Sequence, residues 1–313
     1  MERREFLRQA ALAGVVPVAA SAAKTQPPDS ETLVATLYNS LTEEQKGKIT
    51  FPFGHPLQHK VDANWFITPH RISKFFTRDQ QAMIEEIFRK LHNPDFVDKV
   101  MHHIQEDAAG LGNYTIALFG EPGKGKFEFV LTGRHCTARC DGDSVEGAAF
   151  GGPIMYGHQS GPSGNEPADH PNNVYWFQAL RANQVFQALD GKQREKALLS
   201  VSPRAERATE TVTIKGKTER FAGLPVSDMK RDQRELVRKV MADLLLPFRK
   251  KDTDEVMRFI QAAGGVENLN LSFYKNLDIG NDGVWDVWQL ESSNMVWYFR
   301  GYPHVHTWVN IRA

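Results

Sequence analysis

The stretch Tyr114-Thr115-Ile116-Ala117-Leu118-Phe119, Glu121-Pro122-Gly123-Lys124-Gly125, Lys126-Phe127-Glu128-Phe129-Val130-Leu131 is where the chain changes its period. A short apolar run, a Pro/Gly turn and an alternating return predict two strands joined as a hairpin. The returning strand is expected to continue to Cys140, Asp141-Gly142-Asp143 turns again, and Ser144 to Ile154 reads as a third, glycine-rich strand or loop. Upstream the period is helical. Thr77 to His92 carries a capping box from Thr77 and Gln80, and one apolar stripe of Met83, Ile84, Ile87, Phe88 and Leu91. Asn93-Pro94 ends it and a further helix runs from Asp95 to Ala108. Ser30 with Leu33, Leu37 and Leu41 predicts a helix, and Thr42-Glu43-Glu44-Gln45 caps a second. Residues 51–70, rich in Pro, Phe and His, read as an ordered loop or short strand.

Downstream, residues 157–172 form a long polar loop of the kind that carries function. Helices are expected at Tyr175 to Leu189, Lys192 to Leu199, Met229 to Leu246 and Asp254 to Ala263, with an edge strand at Thr209 to Lys215. The C-terminus returns to strands at Asn270 to Tyr274, Val284 to Leu290, Met295 to Phe299 and Val305 to Ile311, turning at Asn281-Asp282-Gly283 and Ser292-Ser293-Asn294. No internal repeat shows by eye. Helices, strands, helices, strands predict an α+β fold, an antiparallel sheet built from mid-chain and C-terminal strands and flanked by helices.

The 313 residues divide into an export signal peptide (1–22), a linker (23–29) and a single globular domain (30–313). Arg3-Arg4-Glu5-Phe6-Leu7, a short apolar run and Ala20-Ser21-Ala22 resemble a twin-arginine signal. That resemblance implies the twin-arginine export machinery as a partner, a periplasmic or extracellular location, and a cofactor loaded before export. Lys+Arg and Asp+Glu both number 38, leaving no net field to recruit nucleic acid. No stretch of the mature chain is long and apolar enough to span a membrane.

Two motif matches are set aside. Gly120 to Lys126 fits G-x-x-x-x-G-K, but Phe127 stands where a phosphate loop needs Ser or Thr. Asp278 to Gly283 opens like a calcium loop, but the twelfth position is Gln289. The two cysteines, Cys136 and Cys140, would lie roughly 13 Å apart on an extended strand, so a disulfide needs a bend between them.

His304-Val305-His306 is the most pointed chemical feature. Alternate residues of a strand share a face with Cα atoms about 6–7 Å apart, which lets two imidazoles converge on one ion at roughly 2.0–2.1 Å. His135 and His158 are candidate further ligands, and His170 lies in the polar loop. Copper or zinc suits such a set. His102 and His103, adjacent on a helix, read as a solvated surface.

Gly133-Arg134-His135-Cys136, Gly151-Gly152-Pro153, Val226-Ser227-Asp228-Met229 with Gln233-Arg234, and His304-Val305-His306 resemble the bacterial domain-of-unknown-function 3500 family. Trp65, Phe66 and Pro69, and Asp190-Gly191-Lys192-Gln193-Arg194 to Ala197, look like further landmarks of it. The family pattern has two adjacent histidines after the glycine; here the first is Arg134. The resemblance implies one integrated domain and pairing of His135 with the C-terminal His-x-His, and supplies no reaction.

Two functions compete. The first is an exported metalloenzyme, redox or hydrolytic, acting on a small molecule, with His135, His304 and His306 on the ion. Arg134 or Arg300 would neutralise developing charge, and Glu291 or Asp286 would act as base or orient an imidazole. The second is a non-catalytic ligand-binding protein, in which Trp285, Trp288, Trp297, Tyr298, Phe299, Tyr302 and Trp308 supply an aromatic-lined cleft. No G-x-S-x-G elbow is present.

Overall fold

A computed structural model describes residues 29–159, 173–202, 206–217, 220–275, 284–301 and 304–313. Residues 1–28, where an export signal is expected, His170, the calcium-like loop with its Asn281–Gly283 turn, and Tyr302 lie outside the described residues. The helices are α1 (Ser30–Ser40), α2 (Glu43–Ile49), α3 (Ile72–Phe75), α4 (Arg78–Lys90), α5 (Val97–Ala108), α6 (Trp176–Ala188), α7 (Gly191–Ala197), α8 (Arg231–Leu245) and α9 (Lys250–Ala262). The strands are β1 (Thr50–Phe51), β2 (Thr115–Gly120), β3 (Phe127–Gly133), β4 (Cys136–Cys140), β5 (Ile154–His158), β6 (Leu198–Leu199), β7 (Leu224–Pro225), β8 (Asn270–Tyr274), β9 (Val287–Ser292), β10 (Met295–Arg300) and β11 (Val305–Ile311).

They form one sheet in the order β1-β2-β3-β4-β5-β11-β10-β9-β8-β6, with β7 beside β8. The pairing is antiparallel except for β1/β2 and β6/β8. This is the mixed fold expected, with mid-chain and C-terminal strands in a common sheet. The phosphate-loop look-alike is the β2–β3 turn, and both cysteines are free on β4. The Thr209 to Lys215 segment is not a strand: Ala208–Val212 is a short 3-10 turn, which its weak alternation concealed.

The strand order reads the same from either end, and so do the elements that lead into it. In each half a helix, a short capped helix and a two-residue strand come first (α1-α2-β1 and α6-α7-β6), then a helix pair (α4-α5 and α8-α9), then four strands. The caps match in detail. Gln45 and Gln80, the third residues of two capping boxes, donate to one another across α2 and α4. Gln193 and Gln233 do the same across α7 and α8. The chain therefore contains an internal repeat of architecture that its sequence shows only faintly, in Arg78-Asp79-Gln80 against Arg231-Asp232-Gln233 and in Val100-Met101-x-x-Ile104-Gln105 against Val256-Met257-x-x-Ile260-Gln261. The repeats meet where β5 pairs with β11.

Strand alternation divides the side chains between two faces. Leu118, Phe129, Leu131, Tyr156, Trp288, Trp297, Phe299 and Val309 pack with the apolar stripes of α1, α4, α5, α6, α8 and α9 in the main core. Phe119, Val130, Met155, Tyr298 and Trp308 face the other way, beneath the loop around Phe53 to Ile67 and the segment around Leu199 to Ile214. A salt bridge ties α1 to α9: Arg249 Nη2 donates to Glu31 Oε1 at 2.9 Å. Burial opposes ionisation of Glu31, but Arg249 outweighs it and holds the carboxyl at about 2. A depressed carboxylate pKa adds stability above its unfolded value, near 4.5, that is lost as pH falls toward 2. Acid unfolding of Glu31→Gln, followed by circular dichroism, should be shallower than wild type across that window.

Candidate metal centre

The two-residue turn between β3 and β4 is held from several sides. Gly133 closes it where a Cβ would fall 2.2 Å from the Tyr114 ring, and the Tyr114 hydroxyl donates to the Arg134 carbonyl at 2.6 Å. The His135 amide donates to the Ala63 carbonyl at 2.7 Å, and its backbone sits at φ 53°, a left-handed conformation that favours glycine. Next in the sheet, Cys136 pairs with Tyr156, and the following residue of β5, Gly157, pairs with His306. A Cβ on Gly157 would stand 2.1 Å from the Val305 carbonyl oxygen. This glycine lets β11 approach closely enough to bring its imidazoles to His135. Gly157→Ala is expected to cost about 3 kcal/mol of stability in urea denaturation, as overpacking at a seam.

The three rings form a near-equilateral group. Centroids are 4.7 Å apart for His135–His304, 5.0 Å for His135–His306 and 4.8 Å for His304–His306. One ring nitrogen from each lies within 4.8 Å of the others, and the Nε2 atoms of His304 and His306 are 3.0 Å apart. Two imidazoles on a tetrahedral ion have nitrogens separated by roughly 3.3 Å, close to the spacing of the His304 and His306 Nε2 atoms.

Carboxylates stand behind two of the rings. Asp107, in the last turn of α5, lies 2.5 Å from His135 Nδ1, and Glu206 lies 2.8 Å from His306 Nδ1. With a proton on Nδ1, His135 donates to Asp107 and leaves Nε2 as the lone-pair nitrogen, the arrangement of carboxylate–histidine–metal triads. His306 Nδ1 lies between Glu206 and the Arg300 guanidinium, a pure donor, and takes the same tautomer only where Arg300 keeps its hydrogen bonds to the carboxylate. Arg134 Nε donates to Asp107 Oδ1 at 2.8 Å and its Nη2 to Gln159 Oε1 at 2.5 Å. Arg300 Nε donates to Glu206 Oε1 at 2.5 Å, and its Nη2 touches His306 Nδ1. The second nitrogen of His304, Nδ1, is buried with no hydrogen bond among the described residues.

Burial pushes all three imidazoles below their ordinary pKa. His304 falls to about 3, first through desolvation and then through the charges of His306 and His135; His306 falls well below 6.5, and His135 is lowered despite Asp107. Burial works against Asp107 too, but its bonds to His135 and Arg134 hold it at about 2. Burial raises Glu206, opposed by Arg300. Near neutral pH the site therefore offers neutral imidazoles, the form a metal requires.

Of the residues singled out from the sequence, His135, His304, His306, Arg134 and Arg300 come together. His158 does not. It pairs with Val305 and so shares that residue's face, where its ring packs 5.2 Å from His103 and 6.3 Å from Tyr175 in the helix-side core. Glu291 is also elsewhere: it is buried near the far end of β9, bonded to Lys215 Nζ at 3.2 Å and Gln289 Nε2 at 3.0 Å. Asp286 lies at the start of β9, its carbonyl accepting from the Gly301 amide. His103 is not a solvated residue; it is 4 % exposed, whereas His102 is exposed. Successive helix positions point about 100° apart, so one ring of the pair is buried and the other is not. Of the seven aromatic residues, Trp288, Trp297, Tyr298, Phe299 and Trp308 are buried within the two cores, Trp285 is half-buried and Tyr302 lies outside the described residues.

Asp107 and Glu206 are the residues the sequence reading missed. Asp107 had one signal: an acid in the last turn of a helix opposes the macrodipole, and α5 has no basic residue there to offset it. Glu206 had none; it is 100 residues from its histidine and holds its place with a left-handed backbone, φ 48°.

A family model described as a protein of unknown function, DUF3500, matches residues 26–297, and the chain belongs to that family. No curated protein and no solved structure matches it.

Proposed function

We propose that the chain is an exported metalloenzyme, redox or hydrolytic, whose ion is held by His135, His304 and His306. The observation that carries this reading is the convergence of ligating nitrogens from three histidines, brought from the two repeats, within 4.8 Å of one another. Three protein ligands leave a position open, as catalytic sites do and closed structural sites do not. A bound copper or zinc ion would supply Lewis acidity and an activated water or, for copper, electron transfer. Asp107 and Glu206 would fix the imidazole tautomers, while Arg134 and Arg300 balance the two carboxylates and leave the ion's charge to an incoming small-molecule substrate.

Export is supported by Arg3-Arg4 and the apolar run that follows. That route suits a site assembled only when mid-chain and C-terminal strands have come together, since it carries folded chains. The test is elemental analysis of the exported protein. About one equivalent of copper or zinc is expected in wild type and none in a His304→Ala, His306→Ala double variant. A metal-free wild type from metal-replete medium would sink the proposal.

A further inference from the structure

Beside the histidine cluster lies a surface groove lined by Asn64, Phe66, Arg71, Ala108, Tyr114 and Arg134, with Asn113 at its edge. Phe66 is 41 % exposed, unusual for a large apolar side chain in a segment whose neighbours Trp65 and Ile67 are buried. Its ring is covered by the Arg71 guanidinium, whose central carbon lies 3.3 Å from the ring centroid. Arg71 spends one nitrogen on the Asn113 carbonyl, at 2.5 Å, and has no carboxylate partner among the described residues. Across the groove Arg134 uses Nε and one terminal nitrogen on Asp107 and Gln159, leaving Nη1 without a bond to a described residue. Among the described residues no acidic side chain lines the groove.

Two guanidinium edges and the rim of a phenyl ring thus border one recess. Guanidinium forks match carboxylates, and the Phe66 ring, which carries the Arg71 guanidinium on its face, leaves its edge for edge-to-face contact with a second ring. We infer that this groove binds an aromatic carboxylate, its oxygens on Arg71 and Arg134 and its ring beside the edge of Phe66. Arg134 is shared with the histidine cluster through Asp107, so the groove is a substrate subsite of the same centre; that meaning rests on the metalloenzyme reading, whereas the binding itself does not.

The test uses the full chain, zinc-loaded and zinc-free, titrated calorimetrically with benzoate and with neutral benzamide. Benzoate should bind at least about tenfold more tightly than benzamide, as loss of a charge-assisted pair predicts. Arg71→Gln and Phe66→Ala should each weaken benzoate about tenfold while leaving zinc uptake unchanged, because neither side chain touches the histidines. Equal affinity for benzoate and benzamide, or equal benzoate affinity in wild type and both variants, would overturn the inference. Loss of benzoate binding in the His304→Ala, His306→Ala protein with Arg71→Gln unaffected would also overturn it, by moving the carboxylate onto the ion. Benzoate binding in a protein that takes up no zinc would leave the groove standing and remove the metal reading instead.

Discussion

Zinc or copper at about a thousandfold excess over its dissociation constant should stabilise the wild-type chain by about 4 kcal/mol. For a chain of this size that is a rise in melting temperature on the order of 10 °C. The His304→Ala, His306→Ala protein should show no rise. Its own metal-free stability should fall by only about 1–2 kcal/mol, because the double variant gives up the His306–Glu206 bond but relieves a crowded cluster. His304 Nδ1 is buried without a hydrogen bond among the described residues, and the neighbouring imidazoles depress its protonation. Differential scanning fluorimetry with and without metal reads both quantities. An intermediate case separates ligand from support. Asp107→Asn keeps all three rings but replaces the acceptor on His135 Nδ1, and metal affinity should fall about 10–100-fold without being abolished. If Asp107→Asn behaves like wild type, Asp107 serves the fold and not the centre.

The metal-free protein also predicts which single change leaves the scaffold intact. His135 occupies a left-handed backbone position, so His135→Gly relieves strain of order 1 kcal/mol while removing a ligand. That gain is set against the lost bond to Asp107, and the folded protein should survive with its metal response gone.

Much of this molecule was legible because its signals are local. The Thr77/Gln80 box and the stripe from Met83 to Leu91 place α4 within a residue or two of where it lies, since cap and periodicity act within one element. The His-x-His could be read as two rings on one face because strand parity is also local. What failed needed register. Whether His158 faces His306 or Val305 depends on how β5 slides along β11, and a shift of one residue exchanges the answer. Glu291 was placed by nearness along a hairpin, yet four residues of strand carry it roughly 13 Å from the level of Arg300 and His306. Asp107 and Glu206 reach the centre only through the packing of α5 and the 206–214 segment against the sheet. The internal repeat was easy to miss for a related reason: core positions tolerate many apolar residues of similar volume, so shared identity survives only in short runs such as Arg78-Asp79-Gln80 with Arg231-Asp232-Gln233 and Val100-Met101-x-x-Ile104-Gln105 with Val256-Met257-x-x-Ile260-Gln261.

The loop that anchors His135 is itself fastened by a buried ion pair, and breaking that pair should be the most damaging single change away from the histidines. The Glu128 and Arg139 side chains are 1 % and 0 % exposed, with Arg139 Nη1 2.7 Å from Glu128 Oε1. Arg139 also donates to the carbonyls of Pro153 (2.7 Å), Gln58 (2.6 Å) and Lys60 (2.7 Å), while Gln58 Nε2 donates to the other Glu128 oxygen at 2.7 Å. Every strong group is satisfied, so the pair specifies where residues 58–63 lie, and the Ala63 carbonyl at the end of that run receives the His135 amide. Arg139→Met leaves a buried carboxylate and three carbonyls without their donor, which should cost about 3–5 kcal/mol in urea denaturation at pH 7. Burial already raises the Glu128 pKa above 4.5 against the pull of Arg139. Without the arginine it rises further, so the folded variant takes up a proton that the unfolded chain does not hold at neutral pH. A raised carboxyl pKa favours folding as pH falls, and the loss at pH 5 should therefore be smaller than at pH 7. Adding Glu128→Gln to Arg139→Met removes the stranded charge and should recover roughly 2 kcal/mol, leaving the carbonyls' share unrecovered. A deficit in Arg139→Met that is the same at both pH values would show that the carboxylate, and hence the ion pair, is not what holds the loop.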